Sequence, residues 1–240
     1  MRRSVCALAL AVCSLTVACD SMPGRPLPSD RPIRPKDVKS FDVLWGRNCA
    51  GCHGAEGDYG AARSMNDPLY LAWVSDQDLR LVIGQGVAGT LMPAFSDAHG
   101  GGLTDEQIDI LIQSMRERWG RSDKYRNARL PPYAAGLGDA SRGATVYKDF
   151  CARCHGPDGT GGEVHGSIVD PAYLALVSNQ SLRSSVVVGR ADLGMPDFQH
   201  DQPGREMSEQ QITDVVAWLV GHRVEFPGQP YQSSKENEDG

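Results

Sequence analysis

The pattern C-x-x-C-H occurs twice in this chain, as Cys49-Ala50-Gly51-Cys52-His53 and as Cys151-Ala152-Arg153-Cys154-His155, 102 residues apart. The spacing has a chemical logic. Two thiols one helical turn apart can each bond one vinyl group along a single porphyrin edge, and the histidine that follows turns its imidazole onto the iron. This is the attachment pattern of a covalently held haem. Other uses of the same residues fit less well. One zinc site built from all four cysteines leaves both histidines without a role. A thioredoxin-like dithiol follows a strand in a βαβ unit, and neither pair follows a strand pattern. Two haem units are therefore the expectation, with Cys49, Cys52, Cys151 and Cys154 as the thioether positions.

The repetition runs well beyond the cysteines. Residues 67–95 align without a gap on residues 170–198, with 15 identities in 29 positions, among them Asp67-Pro68 with Asp170-Pro171 and Leu79-Arg80 with Leu182-Arg183. Self-similarity over such a period means two tandem domains. Each block closes on Met-Pro-x-Phe, at Met92-Pro93-Ala94-Phe95 and Met195-Pro196-Asp197-Phe198, with the methionines 39 and 40 residues after their histidines. A thioether opposite an imidazole fills the sixth position of an iron, favours the ferrous state and raises the reduction potential. The proline fixes the backbone beside it, and nearby glycines let an irregular loop approach the porphyrin. A pair of flexible core methionines is the plainer alternative, but it explains neither the shared motif nor the matched offset.

On these motifs the chain resembles the class I, mitochondrial-type cytochrome c family in a tandem dihaem arrangement, over about residues 37–120 and 139–226. The resemblance implies an all-α fold of two tandem domains, each wrapped round one covalently attached haem c. In each, a helix leads into the haem motif, shorter helices follow, a methionine loop covers the distal face and a last helix crosses the first. It also implies the axial pairs His53 with Met92 and His155 with Met195. Residues 37–49 and 139–151 read as the opening helices. Thr104 and Ser208 read as N-caps, with Gln107 and Gln211 completing capping boxes, and Ile108, Leu111, Ile112 and Met115 then recur at helical spacing, as do Ile212, Val215, Val216 and Leu219. Where first and last helices cross, the family sets a small residue against an aromatic one. Gly143 with Trp218 fits this, while matching offsets in the first domain give Phe41 with Ser114, predicted as a volume-conserving exchange. Residues 121–138, with Pro131, Pro132, Gly136 and Gly138, read as the linker.

Other candidates have plainer readings. His99, His165, His200 and His222 are expected on loops or in solvent, with His165 and Met207 the rivals to Met195 in the second domain. Arg80 and Arg183 recur at one position and suit either a haem carboxylate or a solvated helix face. Tyr70, Tyr173, Trp45 and Tyr147 read as core or pocket wall.

The N-terminus carries a different message. Arg2 and Arg3 precede an apolar run from Val5 to Ala18, the layout of an export signal and shorter than a membrane-spanning helix requires. Leu15-Thr16-Val17-Ala18-Cys19 resembles the lipobox of bacterial lipoproteins, with Thr16 where that family prefers leucine. It implies cleavage after residue 18 and lipidation of Cys19, against ordinary cleavage or an uncleaved anchor. Asp20 resembles the signal that retains such lipoproteins on the inner membrane. Five prolines between residues 19 and 36 describe a semi-rigid tether, and residues 227–240 a polar tail.

The formal charge of -6 and a pI near 5.5, without a basic cluster, exclude nucleic acid as a partner. Two filled axial positions argue against substrate chemistry at iron, and no dinucleotide motif is present. The expectation is an electron-transfer protein rather than an enzyme in its own right: a dihaem c-type cytochrome on the periplasmic side of the cytoplasmic membrane, lipid-anchored there. It would pass single electrons between redox-partner proteins such as a membrane oxidoreductase, oxidase or dehydrogenase, as carrier or as subunit of a respiratory or dehydrogenase chain. The alternative is a cytochrome subunit of a catalytic dehydrogenase complex or a haem peroxidase-type enzyme.

Overall fold

The computed structural model describes residues 32–162, 165–200, 204–224 and 227. The expected leader, Cys19, most of the tether and nearly all of the tail lie outside the described residues. The chain divides into two compact units, residues 1–37 and 38–240. The described part of the first is a 3-10 turn, Pro35–Asp37, in which Arg34 pairs with Asp37 at 2.6 Å. The second holds both haem motifs.

Its described residues form helices joined by loops, with no strand beyond isolated bridges. In the first domain α1 (Phe41–Asn48) passes through Cys49 into the short α2 (Ala50–His53). The expected start near residue 37 is displaced to Phe41 because Ser40 is extended, with ψ 122°. The next helix, α3 (Pro68–Trp73), starts where local chemistry dictates. Asp67 accepts from the Leu69 and Tyr70 amides, and Pro68 takes the position that needs no amide. Ser75 caps α4 (Asp76–Gln85). The Thr104–Gln107 capping box opens α5 (Asp105–Trp119), as predicted, and Ile108, Leu111, Ile112 and Met115 are buried.

The linker contains one helical turn, α6 (Ser122–Tyr125). The second domain repeats the plan with α7 (Ala140–Phe150), α8 (Ala152–His155), α9 (Pro171–Leu176), α10 (Asn179–Val188) and α11 (Glu209–Val220). Its capping box, Ser208 with Gln211, is also formed, and Ile212, Val215, Val216 and Leu219 are buried.

The linker is held from both sides. Trp73 of the first domain donates from Nε1 to the Pro131 carbonyl at 2.6 Å and packs on Tyr133, ring centroids 4.9 Å apart. Arg183 of α10, only 3% exposed, donates to the Pro132 and Tyr133 carbonyls and to Thr213 Oγ1. That explains the recurrence of arginine at this position only in part, since Arg80 lies in the open and pairs with Asp109.

The helix crossings differ between the domains. In the second, a Cβ on Gly143 would stand 2.0 Å from the Asp214 carbonyl oxygen and 2.8 Å from Trp218 Cβ, so α7 meets α11 backbone to backbone. In the first, Phe41 stacks on Trp45 with centroids 5.7 Å apart. The ring it meets from α5 belongs to Trp119, again at 5.7 Å and edge-on, five residues beyond Ser114.

Candidate haem sites

Both motifs sit where a helix continues for one more turn. The Cys49 amide bonds to the Trp45 carbonyl at 2.8 Å and the His53 amide to the Cys49 carbonyl at 3.0 Å; Cys151 with Tyr147, and His155 with Cys151, repeat those bonds at 2.8 and 3.0 Å. None of the four cysteines is in a disulfide; Cys52 is exposed and the others are half-buried. Burial, and then the neighbouring Cys52, push the Cys49 thiol up to about 12, which keeps it protonated and disfavours a reactive thiolate. Among the described residues no three His, Cys, Asp or Glu side chains converge as a metal site, so the cysteine pairs do not assemble the zinc alternative.

Four residues before each first cysteine an aromatic side chain braces the turn that follows the histidine. Trp45 Nε1 donates to the Gly54 carbonyl at 3.0 Å, and Tyr147 Oη to the Gly156 carbonyl at 2.5 Å. A tryptophan from the last helix backs each brace: Trp119 edge-on to Trp45 at 5.0 Å, Trp218 stacked on Tyr147 at 4.0 Å. Their ring tips fit against Gly57 and Gly159, where a Cβ would come within 2.7 and 3.2 Å. Trp119 is therefore the counterpart of Trp218, a role the offset matching missed because it sits more than a turn further along its helix.

His53 is half-buried. Its Nδ1 lies 2.7 Å from the Arg63 carbonyl oxygen. A carbonyl only accepts, so Nδ1 carries the proton and Nε2 is left with its lone pair free. Burial lowers the affinity of His53 for a second proton, against the Arg63 carbonyl bond, and the charges of Arg63 and Arg190 lower it further. In the second site burial, followed by the charge of His165, acts on His155 in the same direction. The main chain of Gly166 faces that ring, and among the described residues no hydrogen-bond partner closes on the buried His155 Nδ1.

The methionine loops are built alike. Gly86 and Gly189 end α4 and α10 at φ 70° and 73°, and a Cβ on either would stand within 2.7 Å of the Met-Pro backbone. Only glycine permits that close return. The Val87 amide bonds to the Met92 carbonyl at 3.0 Å, while Arg190 and Met195 exchange two main-chain bonds at 3.0 Å. Both methionines are half-buried.

Met207, one of the two rivals, has a place in the core. Met207 is buried and its amide bonds to the Phe198 carbonyl, as the Leu103 amide bonds to that of Phe95. A position filled by leucine in one copy is a core position. His165 lies beside His155, ring centroids 5.6 Å apart. His200 pairs with Asp197 at 2.7 Å, His222 packs on Trp218, and His99 is exposed on the turn Asp97–His99. Tyr70 is buried in the first domain, whereas Tyr173 is 37% exposed.

The donor set fits a covalently attached haem: paired thiols outside any disulfide on one helical turn, an adjoining imidazole, whose outer nitrogen in His53 keeps its lone pair, and a soft thioether on a glycine-shaped loop. Comparison with known proteins agrees. The family described as cytochrome c matches residues 140–223, and the family described as cytochrome c oxidase, cbb3-type, subunit III, matches residues 36–113. The chain thus carries two cytochrome c domains in tandem, each matched by a family model, and such domains imply covalently bound haem c. Relatives include the cbb3-type cytochrome c oxidase subunit CcoP of Azospirillum sp. (strain B510), 32% identical over 143 residues, which are 52% of this chain and 43% of the relative. The subunit of the same description from Cereibacter sphaeroides is 26% identical over 188 residues, 72% of this chain and 57% of the relative. The chain thus spans about half the length of these curated relatives. Among solved structures, a chain of the Kuenenia stuttgartiensis reducing HAO-like protein complex Kustc0457/Kustc0458 aligns with 81% of this chain and 100% of its own length at a TM-score of 0.45 and 16% identity.

Proposed function

We propose that the chain is a dihaem c-type cytochrome that carries single electrons between redox partners at the outer face of the cytoplasmic membrane. Cys49 and Cys52 would hold one haem covalently and Cys151 and Cys154 the other, with His53 and Met92, and His155 and Met195, as the residues that would bind the two irons. Bound there, each haem supplies a one-electron ferric–ferrous couple. The polypeptide fixes the imidazole tautomer, excludes water with the aromatic braces and sets the potential through the thioether. The observation that carries this reading is the duplicated site, with the same brace, the same tryptophan and the same returned methionine loop in both copies.

The two relatives described as oxidase subunits favour a place within a respiratory oxidase assembly over a freely diffusing shuttle. An anchor at Cys19 and export by residues 1–18 suit such a fixed station. No helix among the described residues is long and apolar enough to cross a membrane.

Mass spectrometry of protein matured in a host able to attach haem tests the reading, with two added haem masses per chain expected. The weak red-end absorption band of methionine-bound ferric haem is expected to vanish for one haem in Met92→Ala and for the other in Met195→Ala. Retention of both bands overturns the ligand assignment. Cys19→Ala is expected to move the protein from membranes to the soluble periplasmic fraction, and unchanged membrane association overturns the anchor.

A further inference from the structure

The methionine loop of the second domain carries a buried charge pair that reaches into the first. Arg190 and Asp192 meet in a two-point fork, Nε to Oδ1 at 2.9 Å and Nη2 to Oδ2 at 2.8 Å, with side chains 17% and 5% exposed. A pair two residues apart on a three-residue turn gains little from being buried, because both ions lose water. Part of what covers this one belongs to the other domain. The Asp192 carboxylate faces the Tyr59 main-chain N–H. Arg190 Nη2 reaches the Gly60 carbonyl oxygen at 3.4 Å, across 130 residues of sequence.

The segment so held is unusual. Tyr59 is the one non-glycine among the described residues with positive φ, 53°, and its side chain is 75% exposed, so its ring gives that backbone little support. Such a conformation persists when its surroundings hold it, and Asp192 stands beside the amide. Gly60 rests on the haem motif itself, where a Cβ would stand 2.2 Å from the Cys52 carbonyl oxygen and 2.6 Å from the His53 carbonyl carbon. On the far side, Arg190 is the residue whose main chain bonds Met195 in both directions. A second tie runs parallel: Arg63, whose carbonyl pins His53 Nδ1, donates from Nη2 to Ser185 Oγ of α10 at 2.9 Å.

We infer that Arg190 and Asp192 are positioning residues that tie the methionine loop of the second domain to the histidine loop of the first, so that their charge balance sets the redox preference of the first haem from the other domain. The inference rests on the reading of His53 and Met195 as iron ligands. Asn and Gln replacements keep the side chains' size while removing one charge at a time. Asp192→Asn leaves a guanidinium uncompensated, which disfavours ferric iron nearby. Arg190→Gln leaves a carboxylate, which favours it.

The test uses the full-length protein with haem attached, titrated by visible absorption, with the first haem identified by the band lost in Met92→Ala. At an ambient potential near its midpoint, the reduced-to-oxidised ratio of the first haem is expected to rise about fivefold in Asp192→Asn and to fall about fivefold in Arg190→Gln. A merely structural role shifts both variants the same way or leaves the first haem unmoved, and either result overturns the inference. Hydrogen exchange at the Tyr59 amide reads the tie without reference to any ligand. It is expected to accelerate about tenfold in Asp192→Asn. Unchanged exchange overturns the tie even if both methionines are ligands; faster exchange upholds it even if the methionine bands show that the ligand reading has failed.

Discussion

The two domains present the same donor set and secure it by different physics. In the second, α7 and α11 approach until Gly143 touches main chain, and the joint is locked by a carboxylate. Asp214, 2% exposed, accepts from the Asp139 amide at 2.7 Å, from Arg142 at 2.7 and 2.9 Å, and from Gln210 at 2.9 Å. In the first, Phe41 occupies the glycine's place and the joint is an aromatic cluster of Phe41, Trp45 and Trp119. Its polar ties include Gln107, which donates to the Val38 carbonyl at 3.0 Å, and the exposed pair of Arg118 with Asp42 at 2.6 Å. The lesson is that the brace behind the histidine is the invariant of the repeat, while the crossing that supports it is negotiable.

The severest way to break the comparison is to import the first domain's solution into the second. Gly143→Phe leaves no room even for its first carbon, so overpacking of about 3 kcal/mol or more is expected. Haem content should drop from two to one per chain, and two retained haems would mean that α7 can move away. Trp119→Ala removes the keystone of the aromatic joint and should cost about 3–4 kcal/mol in denaturant unfolding. A cost below that of the matching Trp218→Ala would reverse the assignment of the two tryptophans.

Asp214→Asn probes the polar joint, with an expected loss of about 2 kcal/mol at neutral pH. The Arg142 hydrogen bond, foremost, holds the Asp214 carboxyl down at about 2. A depressed acid stabilises the fold fully above its unfolded value near 4, and that contribution is lost as pH falls through the folded one. The difference between the two proteins should therefore shrink between about pH 4 and pH 2. No matching window is expected in the first domain. The smallest effect sharpens the comparison at the irons. A closed Nδ1–H bond makes His53 the stronger donor and favours the ferric state, so the second haem, whose histidine lacks that bond, should titrate at the higher potential. A gap of about 59 mV, one tenfold step for one electron, is the expected size. Titration of Met92→Ala and Met195→Ala assigns the order.

Much of this plan was legible from residue types alone, because the elements that matter announce themselves by side-chain chemistry. Thr104 with Gln107 and Ser208 with Gln211 mark helix starts, and the Met-Pro-x-Phe blocks mark the loops. What escaped was carried by the main chain or by reach. The acceptor for His53 Nδ1 is a carbonyl, which every residue possesses, so nothing marks Arg63 for the task. Trp119 was passed over for Ser114 because a long side chain on a later turn arrives at the same point as Trp218. Arg183, read as either a propionate partner or a solvated residue, is buried against the linker, a placement that depends on where Pro132 lies in space. Nothing in the sequence marks Asp192, because the segment it faces, at Tyr59, lies 133 positions away.

The linker is where that hidden information has its widest effect. With Pro131 held by Trp73 and Pro132 by Arg183, the connection has no slack to act as a swivel. Electron exchange within the chain should then proceed without waiting for a diffusive search, and its rate should be indifferent to the viscosity of the medium.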